Sequence, residues 1–480
     1  MSKLLDNTIC HLSAADLEQI NRSENCYSSD SAPIPSAERS WSGINYFTLW
    51  LGIMISIPVY MLASGLIAKG MNWWQAIFVV VLGHALVMIP AVLLGHFGTR
   101  YGGSFTMLSK LVFGPIGNIV PTMIRALLGC FWFGVQCWIG GQAVNTVLSG
   151  LLGSAWEGFA YGNALGFLLF FAGNLYIALK GANGIKVLQN FTAPILVFLS
   201  CAVVWWSLGV ADYSLDTLFS VSQEFDTGAS FWLLFFPALS AMIAFDGTLA
   251  LNTSDFTRHA KSQGAQVWGQ LTAAPLMTLF ICLVGVIGTN GSYLAFGETI
   301  WNPVELIARF DSTLITVTFS VFIIIATITT NIAGNLVPPS MVFSSLMPKQ
   351  FSYKRAVLAA GALALLTQPW AVLDNPDNYI FVVLGNLAAF LGPMAGIYIA
   401  VYWFSLKTQV DMVDLYKTNG GKYYYRNGVN GQAFGVLVGT TLVCLLSQFV
   451  PVLRFIFDNS YVIGALMSFA ITLLLQRDKS

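Results

Sequence analysis

Apolar stretches of roughly 20 residues, the length a helix needs to cross the hydrocarbon layer, follow one another through nearly all of this 480-residue chain. Inside lipid each stretch must satisfy its own backbone N–H and C=O groups, which leaves the helix as the form an apolar run can take. The runs cover 44–68, 73–96, 115–150, 163–181, 185–209, 229–252, 266–289, 312–341, 355–373, 378–404, 432–450 and 456–476. The third and eighth are long enough to tilt or to hold two pieces. This length would suggest several soluble domains, but 56% of residues are hydrophobic, 9% are charged, and the mean hydropathy is +0.71. So few charges would not keep a soluble domain dispersed. The expectation is one all-α integral membrane domain over 44–476, with about twelve transmembrane helices.

Residues 1–43 are polar and lack the apolar core of a signal peptide, so they are expected to stay on the mature protein as a mostly flexible cytoplasmic tail, with 477–480 as a short cytoplasmic end. Lys and Arg favour short cytoplasmic loops. With the N-terminus inside, that side holds Lys3, Arg22, Arg39, Arg100, Lys110, Lys180, Lys186, Arg258, Lys261, Lys349, Lys354, Arg355, Lys407, Lys417, Lys422, Arg426, Arg477 and Lys479. The other side holds Lys69, Arg309 and Arg454, and Arg125 lies inside the third run. This bias places both termini in the cytoplasm and supports an even number of crossings. A net charge of +0 and the lack of a dense basic block argue against nucleic-acid binding. Cys10 and Cys26 sit in the polar leader, and the other cysteines, among them Cys130 and Cys137, sit in apolar runs; without metal-ligand spacing they read as packing thiols.

Two runs carry the interruptions of discontinuous helices. The first contains Gly52, Ile55, Ser56 and Pro58; the sixth contains Pro237 and then Phe245-Asp246-Gly247. Proline removes a donor and clashes with the preceding turn. Runs one and six are five apart, as an inverted pair of five-helix repeats requires, with solute and coupling ion bound where the broken helices meet. Repeat one would span 44–209 and repeat two 229–404, leaving 432–476 as extra helices. Membrane helices also use Pro and Gly as plain kinks, so neither break is diagnostic alone.

Trp132 and Gln136 lie four residues apart and share one helix face. An indole beside a carboxamide offers a stacking surface with a donor and an acceptor, suited to a planar, nitrogen-rich ring. The eighth run holds Thr327, Thr329, Thr330, Asn331 and Asn335. Asn331 and Asn335 share a face in the same way, and the hydroxyls of Thr329 and Thr330 suit a small hard cation together with carbonyls freed at a helix break. Any one of these residues is accounted for by a bond to its own helix or to a neighbour; the whole cluster is not.

Phe131-Trp132-Phe133-Gly134-x-Gln136, Thr329-Thr330-Asn331-x-x-Gly334-Asn335, Asn252-Thr253-Ser254-Asp255-Phe256-Thr257-Arg258, Leu391-Gly392-Pro393-Met394-Ala395-Gly396 and Glu38-Arg39-Ser40-Trp41 occur in an order and spacing that resemble the nucleobase-cation symport family, which includes bacterial permeases for hydantoins, allantoin, cytosine and uracil. The resemblance runs from about residue 38 to the end. It implies a 5+5 inverted-repeat (LeuT-like) core with two C-terminal helices, and inward transport of a heterocyclic substrate by alternating access, driven by sodium or protons without an organic cofactor. It further implies a monomer in the plasma membrane, the inner membrane if bacterial. By position, Trp132 would stack on the ring, Gln136 and Asn335 would bond its amide edge, and Ser56 falls where relatives often have Gln or Asn. The family's sodium site falls on the carbonyls of Gly52, Ile55 and Ala326 and the hydroxyls of Thr329 and Thr330.

Asp246 departs from hydantoin- and allantoin-type relatives, which place there a second tryptophan that closes an aromatic sandwich; Phe245 or another ring would have to replace it. A buried carboxylate costs several kcal/mol unless protonated or partnered. Three readings stay open: Asp246 binds a cationic or aminated heterocycle or vitamin, it carries the coupling proton, or it faces an aqueous vestibule or a helix end. Arg125 reads as a snorkelling charge near the cytoplasmic face, His84 as a hydrogen-bonded packing residue, Asn386 as a candidate cavity residue, and Trp73, Trp74, Trp205, Trp206 and Trp403 as interfacial anchors. A membrane-embedded enzyme would need a His/Cys/Asp/Glu cluster in the apolar runs and a channel a repeated pore-lining filter; the sequence offers neither.

Overall fold

The computed structural model describes residues 9–21, 32–157, 159–180, 182–221, 231–347, 350–417 and 419–477. Lys3, Arg22, Cys26, Lys349 and Lys479, and the side chains of Lys186 and Arg477, lie outside the described residues. Among the described residues seven helices are long and apolar enough to cross a membrane, or nine if each of two bent pairs is one span.

The first run is two helices, α1 (Gly43–Met54) and α2 (Ile57–Ala68), bent by 55°. Pro58 has no N–H for the Met54 carbonyl, and Ser56 N–H takes that carbonyl instead at 2.9 Å. The Gly52 carbonyl, the partner Ser56 would have had in a continuous helix, is thereby released. Next come α3 (Trp73–Tyr101), the short amphipathic α4 (Phe105–Phe113), α5 (Ile119–Leu152), α6 (Gly162–Leu179) and α7 (Ala182–Val210). The third run is therefore one long helix, α5.

In the sixth run, described from residue 231, α8 (Phe231–Phe245) keeps Pro237 in its interior. The interruption falls on Asp246 alone, before the single-turn α9 (Gly247–Leu251). Gly247 is required by crowding: a Cβ there would sit 2.9 Å from Leu391 and 3.1 Å from the Tyr461 ring. α10 (Gln263–Phe296) follows. α11 (Thr313–Asn331) passes through a π turn at Ile332–Leu336 into α12 (Val337–Leu346), where Pro338 and Pro339 cannot donate to the carbonyls one turn back.

The ninth run is not a single rod. α13 (Tyr353–Leu366) ends, Gln368 adopts φ +50°, and Pro369 starts a separate turn, because a residue preceding proline is disfavoured in the helical region. A π turn at Asp377–Leu384 leads into α14 (Gly385–Ile399). α15 (Gly431–Leu446) and α16 (Ser460–Arg477) complete the chain, the latter entered through an 87° bend from 451–458.

Packing follows the small and polar residues. A Cβ on Gly83 of α3 would collide with Met242 Cβ and lie 3.2 Å from the Ile243 backbone nitrogen, so α3 and α8 meet nearly backbone to backbone. Gln263, Gln266 and Gln270 on one face of α10 bond the His96 carbonyl, the Val92 carbonyl and one another, and Trp50 of α1 donates to Gln270. The tail corrects the expectation of a mostly flexible leader where it is described. Ile20 is buried, Cys10 N–H bonds the Arg100 carbonyl at 2.8 Å, Ile34 N–H bonds Gly102, and Arg39 reaches the Thr99 carbonyl at 2.6 Å. Burial pulls the Arg39 guanidinium down to about 10.

Candidate functional site

The break between α1 and α2 faces α5 and α11. Ser56, Ile57 and Pro58 share a cavity of about 10 Å³ with Gln136, Ile139, Leu196, Ala326, Thr327 and Thr330. Such a space suits about one water molecule, so a heterocycle enters only if the walls part. Thr330 Oγ1 donates to the Ala326 carbonyl at 3.1 Å and stands 3.3 Å from Gln136 Oε1. Thr329 Oγ1 bonds the same Ala326 carbonyl at 3.0 Å. Three oxygens of the sequence-derived cation set thus cluster on α11, each hydroxyl keeping lone pairs for a cation. The released carbonyl of Gly52, and that of Ile55 before the first turn of α2, lie at the facing break. The donor set is all oxygen, which fits a hard cation such as sodium.

One turn from Gln136, Trp132 is 8% exposed and meets Phe245 edge to face, centroids 4.9 Å apart at 69°. Tyr379 also meets the indole edge to face, centroids 6.5 Å apart, and its hydroxyl donates to the Pro58 carbonyl at 3.2 Å. Phe245 is thus the ring that stands beside the indole next to the Asp246 position, but edge-on it leaves no parallel slot.

The amides of α11 divide. Asn331 is fully buried, donates to the Phe133 carbonyl and Cys137 Sγ, and accepts from Asn335 Nδ2 at 3.1 Å. Neither amide lines the cavity: Asn331 holds Asn335 in place, and Asn335 is half-buried in the π turn. Asn386 donates to its own helix at Val382 and does not line the cavity. Arg125 is corrected from a snorkelling charge: it is 6% exposed, beside Asp255, and its guanidinium is 3.3 Å from the Asn252 carboxamide oxygen in the orientation that satisfies that amide. Trp403 donates to the Leu93 carbonyl at 2.9 Å, which makes it a packing residue.

Sequence reasoning underweighted His84. Its Nδ1–H donates to the Val80 carbonyl at 2.8 Å, as expected of a packing histidine, but Nε2 lies 3.5 Å from Asp246 Oδ2, with both side chains fully buried. An ionisable residue inside each of the second and sixth apolar runs was the available signal; the Gly83 contact that joins them is tertiary.

Residues 33–464 match the family model described as permease for cytosine/purines, uracil, thiamine, allantoin. The chain belongs to this family. It is a permease, not an enzyme. The chain is 37% identical to a purine-uracil permease of Arabidopsis thaliana over 85% of its length and 69% of the relative's. It is 31% identical to the allantoin permease of Bacillus subtilis, over 96% and 94%. The solved transporter Mhp1, of the nucleobase-cation-symport-1 family, superposes in its inward-facing conformation with a TM-score of 0.82 at 25% identity, covering 95% of this permease and 94% of that chain. In a closed conformation with bromovinylhydantoin bound, the TM-score is 0.76 at 26% identity, over 94% and 95%.

Proposed function

We propose that this permease is a cation symporter that imports a small planar nitrogen heterocycle, of the nucleobase, hydantoin or allantoin kind, by alternating access. The observation that carries the reading is the convergence of Ser56, Gln136 and Thr330 on one cavity at the break of the first span, one helical turn from Trp132. On this reading Trp132 supplies the stacking face once Phe245 swings aside, Gln136 and Asn335 bond the ring's amide edge, and Asn331 positions Asn335. Gly52, Ile55, Ala326, Thr329 and Thr330 would hold sodium, whose positive charge helps fix the break against α11 and moves inward with about 2.3 kcal/mol per 100 mV of membrane potential.

The proposed architecture is twelve crossings, ten in two inverted five-helix repeats, in a monomer of the plasma membrane with both termini cytoplasmic. Runs one and six, each interrupted, support the repeat, and the Lys and Arg bias supports the orientation. A proton-coupled second reading is favoured by the seclusion of Asp246 against His84, behind Phe245 and off the cavity lining. Recognition of a cationic solute by Asp246 would require the same swing of Phe245.

Purified protein in vesicles loaded without substrate tests the function. Labelled uracil, allantoin, hydantoin and cytosine are offered under an imposed sodium or proton gradient. Saturable accumulation of intact label that collapses with the gradient is the expected result. Chemical conversion of the label, or flux that ignores the gradient, would instead indicate an enzyme or a channel.

A further inference from the structure

We propose that His84 and Asp246 together hold one coupling proton, and that its release is tied to movement of the α8–α9 break. The proposal rests on the reading of the protein as a cation-driven importer and names a coupling site apart from the oxygen set of the α1–α2 break and α11.

The tautomer is set by geometry. The Val80 carbonyl can only accept, so Nδ1 of His84 carries hydrogen, and a neutral imidazole then presents the lone pair of Nε2 to Asp246. An ionised carboxylate is likewise only an acceptor. Two acceptors facing each other across 3.5 Å need a proton between them, on Nε2 or on Oδ2. Neither oxygen of Asp246, nor Nε2, has a hydrogen-bond partner among the described residues, and both side chains are 0% exposed. With the proton, the pair is neutral overall; without it, a bare negative charge is left in a dry interior, which the fold does not tolerate. The proton therefore leaves only when the pair opens to water: the N–H or O–H bond breaks, its electrons stay on nitrogen or oxygen, and the proton passes to the aqueous side then facing the site.

Among the described residues no other ionised group stands against the pair. Facing it from the packed elements are phenols: Tyr379 from the turn before α14, close enough to sense the Asp246 charge, and Tyr461 of α16, whose ring lies against Gly247. Tyr60 of α2 approaches α10 at Gly288. Farther along α3, His96, Arg100 and Tyr101 begin twelve residues on, about 18 Å down the axis. Asp255 and Arg125 lie together beyond α9, Tyr398 bonds Ser109, and Asp377 and Asp458 are paired with Lys69 and Arg454.

The link to substrate is short. Asp246 is the single residue between α8 and α9, and the ring of its neighbour Phe245 touches both the imidazole, at 5.7 Å, and Trp132, at 4.9 Å. A change in the pair shifts the ring that edges the indole, and displacement of that ring by a heterocycle shifts the pair.

The test uses full-length protein in vesicles containing a trapped pH dye, under a proton gradient with sodium absent and, in a parallel arm, under a sodium gradient, and reads the ratio of protons to labelled substrate entering. Wild type is expected to acidify the lumen in step with uptake. In Asp246→Asn and His84→Gln the ratio is expected to fall about tenfold or more, while Asp246→Glu, which keeps the carboxyl, restores coupling with a displaced pH profile. Wild-type uptake driven by sodium with no dye response overturns the proposal and leaves the importer reading standing; absence of uptake under either gradient overturns the importer reading itself. An unchanged ratio in Asp246→Asn and His84→Gln also overturns the proposal. So does a monodisperse variant that no longer binds a cationic heterocycle but binds neutral ones, which would assign Asp246 to substrate recognition. Failure of Asp246→Glu to restore the ratio has the same consequence.

Discussion

Runs one and six are both interrupted, but with opposite chemistry. At the α1–α2 break the responsible residue, Pro58, is apolar, and what it leaves exposed is backbone oxygen: Ser56 N–H shifts to Met54 and the Gly52 carbonyl is released. At the α8–α9 break the polar group is a side chain, Asp246, buried against His84. A break that releases carbonyls is suited to a metal cation, while a break that displays a carboxyl beside an imidazole is suited to a proton. The contrast shows that sequence-level symmetry between broken helices need not mean duplicated chemistry.

The contrast can be broken first at its mechanical base. Gly83→Leu drives a side chain into Met242 and the Ile243 backbone; overpacking of this kind costs about 1–3 kcal/mol, and parting α3 from α8 also separates His84 from Asp246. A lowered melting temperature and loss of uptake are expected, and a variant with wild-type uptake would show that the close approach is dispensable. Next in size, Trp132→Ala removes the stacking face, and substrate affinity by thermal shift is expected to fall about 5–150-fold, from a loss of about 1–3 kcal/mol. Thr330→Val removes one hydroxyl from the α11 set. Its sodium-stimulated uptake is expected to drop about tenfold while the proton-to-substrate ratio holds, so the two breaks would be separable by measurement. The smallest effect is expected of Pro58→Ala, which returns an N–H to the Met54 carbonyl and should weaken sodium stimulation a few-fold; no change would mean the bend is imposed by packing alone.

Much of this was legible in the sequence, and for identifiable reasons. Apolar runs report burial in lipid directly, and Pro58 and Gly247 punctuate the chain locally, so the placement of both breaks required no tertiary information. The shared face of Trp132 and Gln136 follows from helix periodicity, as does the pair Asn331 and Asn335, but periodicity does not say which neighbour a face meets. Asn331 turned to Phe133 and Cys137 while Thr330 turned to Gln136. Pro237 looked like a second break and is absorbed within α8. His84 and Asp246 are 162 positions apart, and their meeting depends on Gly83 admitting Met242, a contact no local pattern encodes. The turn at Gln368 and the π turns at Ile332–Leu336 and Asp377–Leu384, likewise, register competition among neighbouring helices for space.

The leader's attachment has a practical side. Arg39 and Arg258 grip the Thr99 and Ala32 carbonyls, Trp41 is bonded through its backbone to His259 and Lys261, and its ring stacks on His259 at 5.1 Å. These bonds splint the C-terminal end of α3 to the segment that follows α9, so the two are expected to travel as one body when the protein changes shape. A truncation starting at Gly43 would unfasten that splint even though it spares every span, and a fusion partner is best joined upstream of residue 32.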